Sequence, residues 1–197
     1  MLSDEPALRD AHVLVRVGHG AADRLRNAAM PAQDRERLLG IEHRFDELGV
    51  TLGEELLRPT DIYVREALEI LETVAGVKAL INITSDGLLN LTRVAAPVGF
   101  EIDRLIEPHP IFGLIQRLAG VESAEMHEVF NMGTGFCYIV APAATEQTLA
   151  ILSRHGRVAQ VIGRAVADAD KHVRIPPRGL VGQHKKFWQE RAIRRAG

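Results

Sequence analysis

The stretch INITSDGLLNLTRV, residues 81–94, breaks an apolar run into Thr84, Ser85, Asp86 and Gly87 and then resumes with helical spacing. Residues 77–83 (VKALINI) are short and mostly apolar, which predicts a largely buried strand. A strand that feeds a small-residue turn and then a helical run leaves free backbone N–H groups at the helix start, where the helix dipole favours an anion. Thr84 and Ser85 add hydroxyl donors, and Gly87 lets the backbone come close to a neighbour. Asp86 opposes a phosphate unless a cation or donor stands between them. The same four residues also make an ordinary capped turn, with Ser85 or Asp86 bonded to its own helix start. Taken alone, the stretch favours the capped turn over the anion site.

Upstream, Thr60 is placed to cap a helix with Asp61 in its first turn. Tyr63, Ala67, Ile70 and Val74 form one apolar row, and Val64, Leu68 and Leu71 form its neighbour. Arg65, Glu66, Glu69 and Glu72 take the opposite side, and Gly76 ends the helix. Downstream, residues 100–105 (FEIDRL) alternate as a half-exposed strand. A helix is expected over 110–118, and a second, capped by Ser123, carries Met126, Val129 and Phe130. A strand is expected over 136–140, a helix capped by Thr145 runs to Leu152, and a further strand spans 158–166 with Gly163 as a bulge. Strands and helices mix without a βαβ period. The expected fold is therefore α+β, a two-layer mixed sheet with helices packed on one face.

A second loop, FNMGTG at 130–135, lies between a short helix and a strand. Gly133 and Gly135 flank Thr134, and Asn131 offers both a donor and an acceptor. It too is compatible with a plain tight turn. Other constellations are poor. The eight histidines show no metal-ligand spacing, His127 is expected at a helix surface, and Cys137 packs as a small hydrophobe in an apolar strand. There is no Walker loop and no dinucleotide fingerprint.

The totals set outer limits. The 197 residues suffice for one domain with a real core, and 46% hydrophobic with 25% charged residues is globular composition. Twenty-four basic residues against 26 acidic give a net charge of -2, with no global field towards nucleic acid or membrane. A single cysteine excludes an internal disulfide, no run approaches the ~20 apolar residues of a membrane span, and the N-terminus carries acids where a secretory signal needs a basic start. A cytoplasmic protein is expected. Residues 12–17 (HVLVRV) read as a short strand, 31–48 as a charged helix with a loose apolar stripe, and the tail 183–197 as a helix that docks Phe187 and Trp188.

Taken together, LLRPTDIYV (56–64), INITSDGLLNLTRV, FNMGTGF (130–136) and VAQVIGRAV (158–166) resemble, in order and spacing, the C-terminal domain of the AIR synthetase family, phosphoribosylformylglycinamidine cyclo-ligase of purine biosynthesis. The resemblance covers about residues 50–166. It divides the chain into an unassigned segment 1–50, a domain over 51–170 and a C-terminal extension over 171–197. It implies an ATP-dependent ring closure that turns formylglycinamidine ribonucleotide into aminoimidazole ribonucleotide, in homodimers of two-domain chains. ATP and magnesium belong to an N-terminal domain with no counterpart before residue 50, so an ATP-binding domain or subunit in trans is implied, and this chain alone binds no cofactor. Asn82, Thr84, Ser85, Asp86, Gly87, Asn131 and Gly133 fall on the family's two ligand loops and are the expected binding residues for a phosphorylated ribosyl molecule. On that reading Gly87→Val removes binding without disturbing the helix that follows. Two departures stand out: the family pattern has His at the place of Asn82 and a glycine triplet at Ser85-Asp86-Gly87. Asn keeps hydrogen bonding but moves no proton near neutral pH. A non-catalytic binding or scaffold module that keeps the fold is the alternative.

Overall fold

The computed structural model describes residues 10–17 and 41–190. Eight strands form one sheet: β1 (His12–Val17), β2 (Val77–Asn82), β3 (Val98–Ile102), β4 (Thr134–Val140), β5 (Ala159–Ala167), β6 (Val173–Ile175), β7 (Leu180–Gln183) and β8 (Lys186–Gln189). Their order is β2-β4-β1-β5-β3-β6-β7-β8. All neighbours are antiparallel except β3 and β6. The helices are α1 (Leu52–Leu56), α2 (Val64–Thr73), α3 (Pro110–Ala119), α4 (Ser123–Val129) and α5 (Thr145–Arg154), with a seven-residue 3-10 helix over Gly87–Arg93. The architecture is α+β, a mixed sheet with helices packed on it.

Strand alternation sends side chains to two faces. Leu14, Tyr138 and Val140 meet Ile70 and Val74 of α2 and Ile151 and Leu152 of α5 on one face. Val13, Ile81, Cys137 and Ile139 point the other way, against Leu88, Leu89 and Leu91 of the 3-10 helix. Phe100, Ile102, Ile175 and Phe187 continue the same cluster. Each such side chain, fully buried, contributes about 1.5–3 kcal/mol before its ordering cost. A third cluster joins Leu48 and Leu52 to Ile111, Phe112, Ile115, Met126 and Phe130, and so fastens 41–56 onto α3 and α4. Strand β1, from the first fifty residues, lies between β4 and β5, and β6–β8 extend the sheet beyond β3.

Several expectations hold: β1, β2, α3 and α5 fall where the pattern placed them. The bulge does too. Val13 pairs with Gly163 and Leu14 with Val161, leaving Ile162 over, and a Cβ on Gly163 would stand 2.0 Å from the Glu101 carbonyl.

Other expectations are corrected. Thr60 caps nothing; α2 begins at Val64 after Tyr63. Glu66 is not on the polar face but fully buried, while Val64, Leu68 and Leu71 are exposed. Ser123 and Thr145 are first helical residues rather than caps, and the Thr145 hydroxyl instead meets His12 Nδ1 at 2.9 Å. Residues 41–48 form no helix, because Arg44 bridges to Thr51 and the chain reverses at Gly49, whose φ is +66°. Strand β3 starts at Val98, and its alternate residues Val98, Phe100 and Ile102 are all buried. The tail is a β7–β8 hairpin turning at His184, not a helix. It does dock Phe187, whose ring fills the space a side chain on Gly182 would need, but Trp188 remains 43% exposed. The rest of the basic tail, with Arg191, Arg194 and Arg195, lies outside the described residues, as does most of 31–48.

Candidate functional site

The two loops singled out in the sequence leave adjacent strands at the same end of the sheet. Asn82 ends β2 opposite Phe136 of β4, and Ile83 N–H donates to the Gly135 carbonyl at 3.0 Å. Between β2 and the 3-10 helix, Ser85, Asp86 and Gly87 have φ of 44°, 43° and 48°, three consecutive left-handed residues. For Ser and Asp that conformation costs on the order of 1 kcal/mol each. Asn90 holds it. Its Nδ2 lies 2.9 Å from the Thr84 carbonyl and 2.7 Å from those of Ser85 and Gly87, and the residue is only 1% exposed. With the carbonyls drawn inward to Asn90, the N–H groups of Thr84, Ser85 and Asp86 donate to no backbone acceptor among the described residues. Successive unbonded N–H groups in a tight turn make a concavity suited to an anion. The cation that Asp86 requires is at hand: Arg93 stands 3.6 Å from its carboxylate.

Gly87 has a different task from the expected one. A Cβ there would sit 2.0 Å from the His127 carbonyl and 2.8 Å from that of Phe130. Its close approach is to the end of α4. On the second loop, Asn131 Oδ1 accepts from Gly133 N–H at 3.1 Å and its carbonyl accepts from Thr134 N–H at 2.8 Å. Met132 and Gly133 take φ of 47° and 88°. The Asn side chain therefore builds its own turn, and its amide nitrogen is left for other partners.

A small cleft opens beside this loop, with Leu88, Ile106, Pro108, His127, Asn131 and Arg178 among its lining residues. Of the predicted residues only Asn131 lines it; Asn82, Thr84 and Ser85 are exposed on the neighbouring loop. Asn90, Arg93, His127 and Arg178 were missed. An Asn at the centre of the apolar run LLNL was the available signal for Asn90, since a buried amide needs partners. His127 is buried at 5% exposure, not at the surface, and its Nδ1 contacts the Ser123 carbonyl at 2.7 Å. Burial depresses its pKa, Ser123 partly offsets this, and the charge of Arg178 adds to the depression. Below its ordinary value near 6.5 the unfolded chain takes up a proton that folded His127 resists. Stability therefore falls as pH drops through that value. Chemical denaturation of the parent and of His127→Gln between about pH 5 and 8 should show the parent losing more stability on acidification than the variant.

Neither loop presents a carboxylate cage for magnesium. The cluster that comes nearest in ligand type, Asp168, Asp170 and His172, lies in the β5–β6 turn. It is already engaged: Asp168 meets Arg174 at 2.5 Å and His172 Nδ1 at 3.0 Å. Burial alone would raise the Asp168 pKa, but the contacts with Arg174 and His172 outweigh it and hold the carboxyl below the usual range. That is an ion-pair network, and the described residues do not fit a nucleotide-bound magnesium ion. No helix among the described residues is long and apolar enough to cross a membrane. Cys137 is fully buried, and burial pushes its thiol pKa far up, so it is a packing residue.

The fold of the chain is shared by several solved structures. HypE of E. coli superposes with a TM-score of 0.54 at 20% identity, over 93% of this chain and 51% of that one. Thiamine-monophosphate kinase from Stenotrophomonas maltophilia K279a gives 0.52 at 18%, over 85% and 50%. Residues 18–176 match the family described as AIR synthase related protein, C-terminal domain, and the chain belongs to that family. Curated relatives include the phosphoribosylformylglycinamidine cyclo-ligase of Methanothermobacter thermautotrophicus, 47% identical over 102 residues, 52% of this chain and 30% of that protein. That of Methanopyrus kandleri is 39% identical over 131 residues, 66% and 37% of the two chains. The chain thus spans about a third of the length of the curated relatives it matches.

Proposed function

We propose that this chain is the substrate-facing part of a phosphoribosylformylglycinamidine cyclo-ligase of purine biosynthesis, and that its two loops hold the phosphorylated ribosyl end of the substrate. The observation that carries the reading is the juxtaposition of the loops. The Ile83–Gly135 hydrogen bond ties their bases together, the N–H groups of Thr84, Ser85 and Asp86 donate to no backbone acceptor among the described residues, and Asn131 lines the adjoining cleft. Oxygens of a phosphate accept from those N–H groups and from the Thr84 and Ser85 hydroxyls, and Arg93 and Arg178 supply positive charge nearby. In this reading ATP and magnesium are held by a separate ATP-binding domain or subunit, as the family resemblance implies. The protein works in the cytoplasm.

Two or three charge-assisted hydrogen bonds, set against desolvation, predict millimolar affinity, on the order of 4 kcal/mol. Calorimetric titration of the chain with ribose 5-phosphate and, separately, with ATP-magnesium tests this. The expected result is binding of the first without the second, weakened about tenfold in the double variant Thr84→Ala/Ser85→Ala. Binding of neither ligand favours the second reading, a non-catalytic binding or scaffold module. Asn82 in place of the pattern's His, and the use of Gly87 for packing against α4, are the features that support that alternative.

A further inference from the structure

The cleft beside the Asn131 loop sets three polar side chains, those of His127, Asn131 and Arg178, against apolar walls that include Leu88, Ile106 and Met132. Each of the three has a fixed hydrogen-bonding role. His127 is buried, and its Nδ1 lies 2.7 Å from the Ser123 carbonyl. A carbonyl only accepts, so Nδ1 carries the proton, and in the neutral ring Nε2 presents a lone pair. Burial, with the charge of Arg178 added to it, favours that neutral ring. Nε2 makes no hydrogen bond among the described residues. On Asn131 the Oδ1 is taken by Gly133 N–H, so the side chain offers the donors of Nδ2. Arg178 is exposed and enters no ion pair among the described residues. None of the cleft's described lining residues is acidic.

We propose that this cleft is a site for inorganic phosphate, with Arg178 and Asn131 Nδ2 donating to its charged oxygens and His127 Nε2 accepting its remaining O–H. Arg178 calls for an anion, and the lone pair on Nε2 calls for a donor. An oxyanion that is both must keep a proton, as phosphate does near neutral pH. Sulfate and carboxylates are acceptors only and would turn an oxygen lone pair against that of Nε2. A site built to bond a ligand hydroxyl rejects the analogue that lacks it. The inference goes beyond the reading of the loops, because it uses none of the N–H groups of Thr84, Ser85 and Asp86. It also gives a task to a segment outside residues 18–176, which match the family. Arg178 ends the 3-10 turn Pro176–Arg178, where two prolines fix φ and Gly179 N–H donates to the Pro176 carbonyl at 3.0 Å. The β7–β8 hairpin that follows is fastened to α4: Phe187 N–H donates to Glu128 at 2.7 Å, and the Phe187 ring lies 6.3 Å from that of His127. One segment thus supplies the cation and covers the histidine.

The test follows the His127 imidazole by NMR, its signals assigned by their loss in His127→Gln, while the 197-residue chain is titrated near neutral pH. One titration uses inorganic phosphate and the other uses sulfate at matched ionic strength. Phosphate should shift the His127 signals saturably with a dissociation constant on the order of 1 mM, and sulfate should bind at least ~tenfold more weakly. Arg178→Gln should weaken the phosphate response at least ~tenfold, and Arg178→Lys, which keeps the charge, should stay within roughly threefold of the parent. Because Arg178 is exposed, both variants should fold. The double variant Thr84→Ala/Ser85→Ala should leave the response unchanged, and its loss there would overturn a site separate from the loops. Absence of a saturable response to phosphate overturns the proposal, as does sulfate binding as tightly as phosphate or an Arg178→Gln variant that responds like the parent. If ribose 5-phosphate fails to bind in calorimetry while His127 still responds to phosphate, the proposed function falls and this site stands.

Discussion

Gly87→Ala should lower the stability of the chain by about 2–4 kcal/mol, the sum of overpacking and of a non-glycine residue at positive φ. The number follows from two separate insults. The added methyl would stand 2.0 Å from the His127 carbonyl and 2.8 Å from that of Phe130, both backbone atoms with no rotamer to change. The φ of +48° would have to be kept by an alanine in a run where Ser85 and Asp86 already bear the same conformation. Relief requires the 3-10 helix to move away from α4, and Leu88, Leu89 and Leu91 would leave the core with it. Urea denaturation measures the loss; a variant within about 0.5 kcal/mol of the parent would show that the helix and α4 do not approach this closely. Gly87→Val, expected from the loop alone to block a ligand and spare the fold, should do worse still. It therefore reports nothing about binding, and the hydroxyl deletions at Thr84 and Ser85, both exposed, are the substitutions that do.

The difference between those two expectations shows what the sequence carries. Local signals were legible where one element explains its own residues. The apolar run 77–83 gave β2, the Pro110–Ala119 periodicity gave α3, and Gly163 marked a bulge. Loop positions were legible too, because small residues between a strand and a helix leave few alternatives. What failed depends on contacts between distant segments. Nothing local separates Gly87 as a ligand glycine from Gly87 as a packing glycine, since His127 lies forty residues away. His127 looked like a surface residue because the hairpin that covers it, with Phe187 at a ring distance of 6.3 Å, comes from a tail that reads as a helix. Phe187 N–H donates to Glu128 at 2.7 Å, and no pattern near either residue announces that bond. The helical rows of α2 were found correctly, but not which of them is covered, because the covering surface is chosen by where Arg157 sits.

Arg157→Met should cost about 3–5 kcal/mol, because it leaves Glu66 as an unpaired buried charge. Glu66 is fully buried on α2, and its Oε1 lies 2.7 Å from Arg157 Nε. The same guanidinium stands 3.6 Å from Asp61 and donates to the Ile62 carbonyl at 2.9 Å, so one side chain fixes the entry of α2 and neutralises its buried acid. The exposed pairs nearby set the scale. Arg154–Glu69, with side chains 62% and 30% exposed, is a solvated pair, and such pairs contribute little to stability. A buried pair behaves differently: forming it gains little net, because desolvation consumes the Coulomb attraction, but removing one partner is severe. The double variant Glu66→Leu/Arg157→Met should therefore recover most of the loss, ending within about 1–2 kcal/mol of the parent. Thermal or urea denaturation of the two single variants and the double variant closes the cycle. Additive losses would mean that the two side chains do not act as a pair. Recovery in the double variant would show that this acid is present on the sheet-facing side of α2 because Arg157 reaches it, leaving Val64, Leu68 and Leu71 to the outer face.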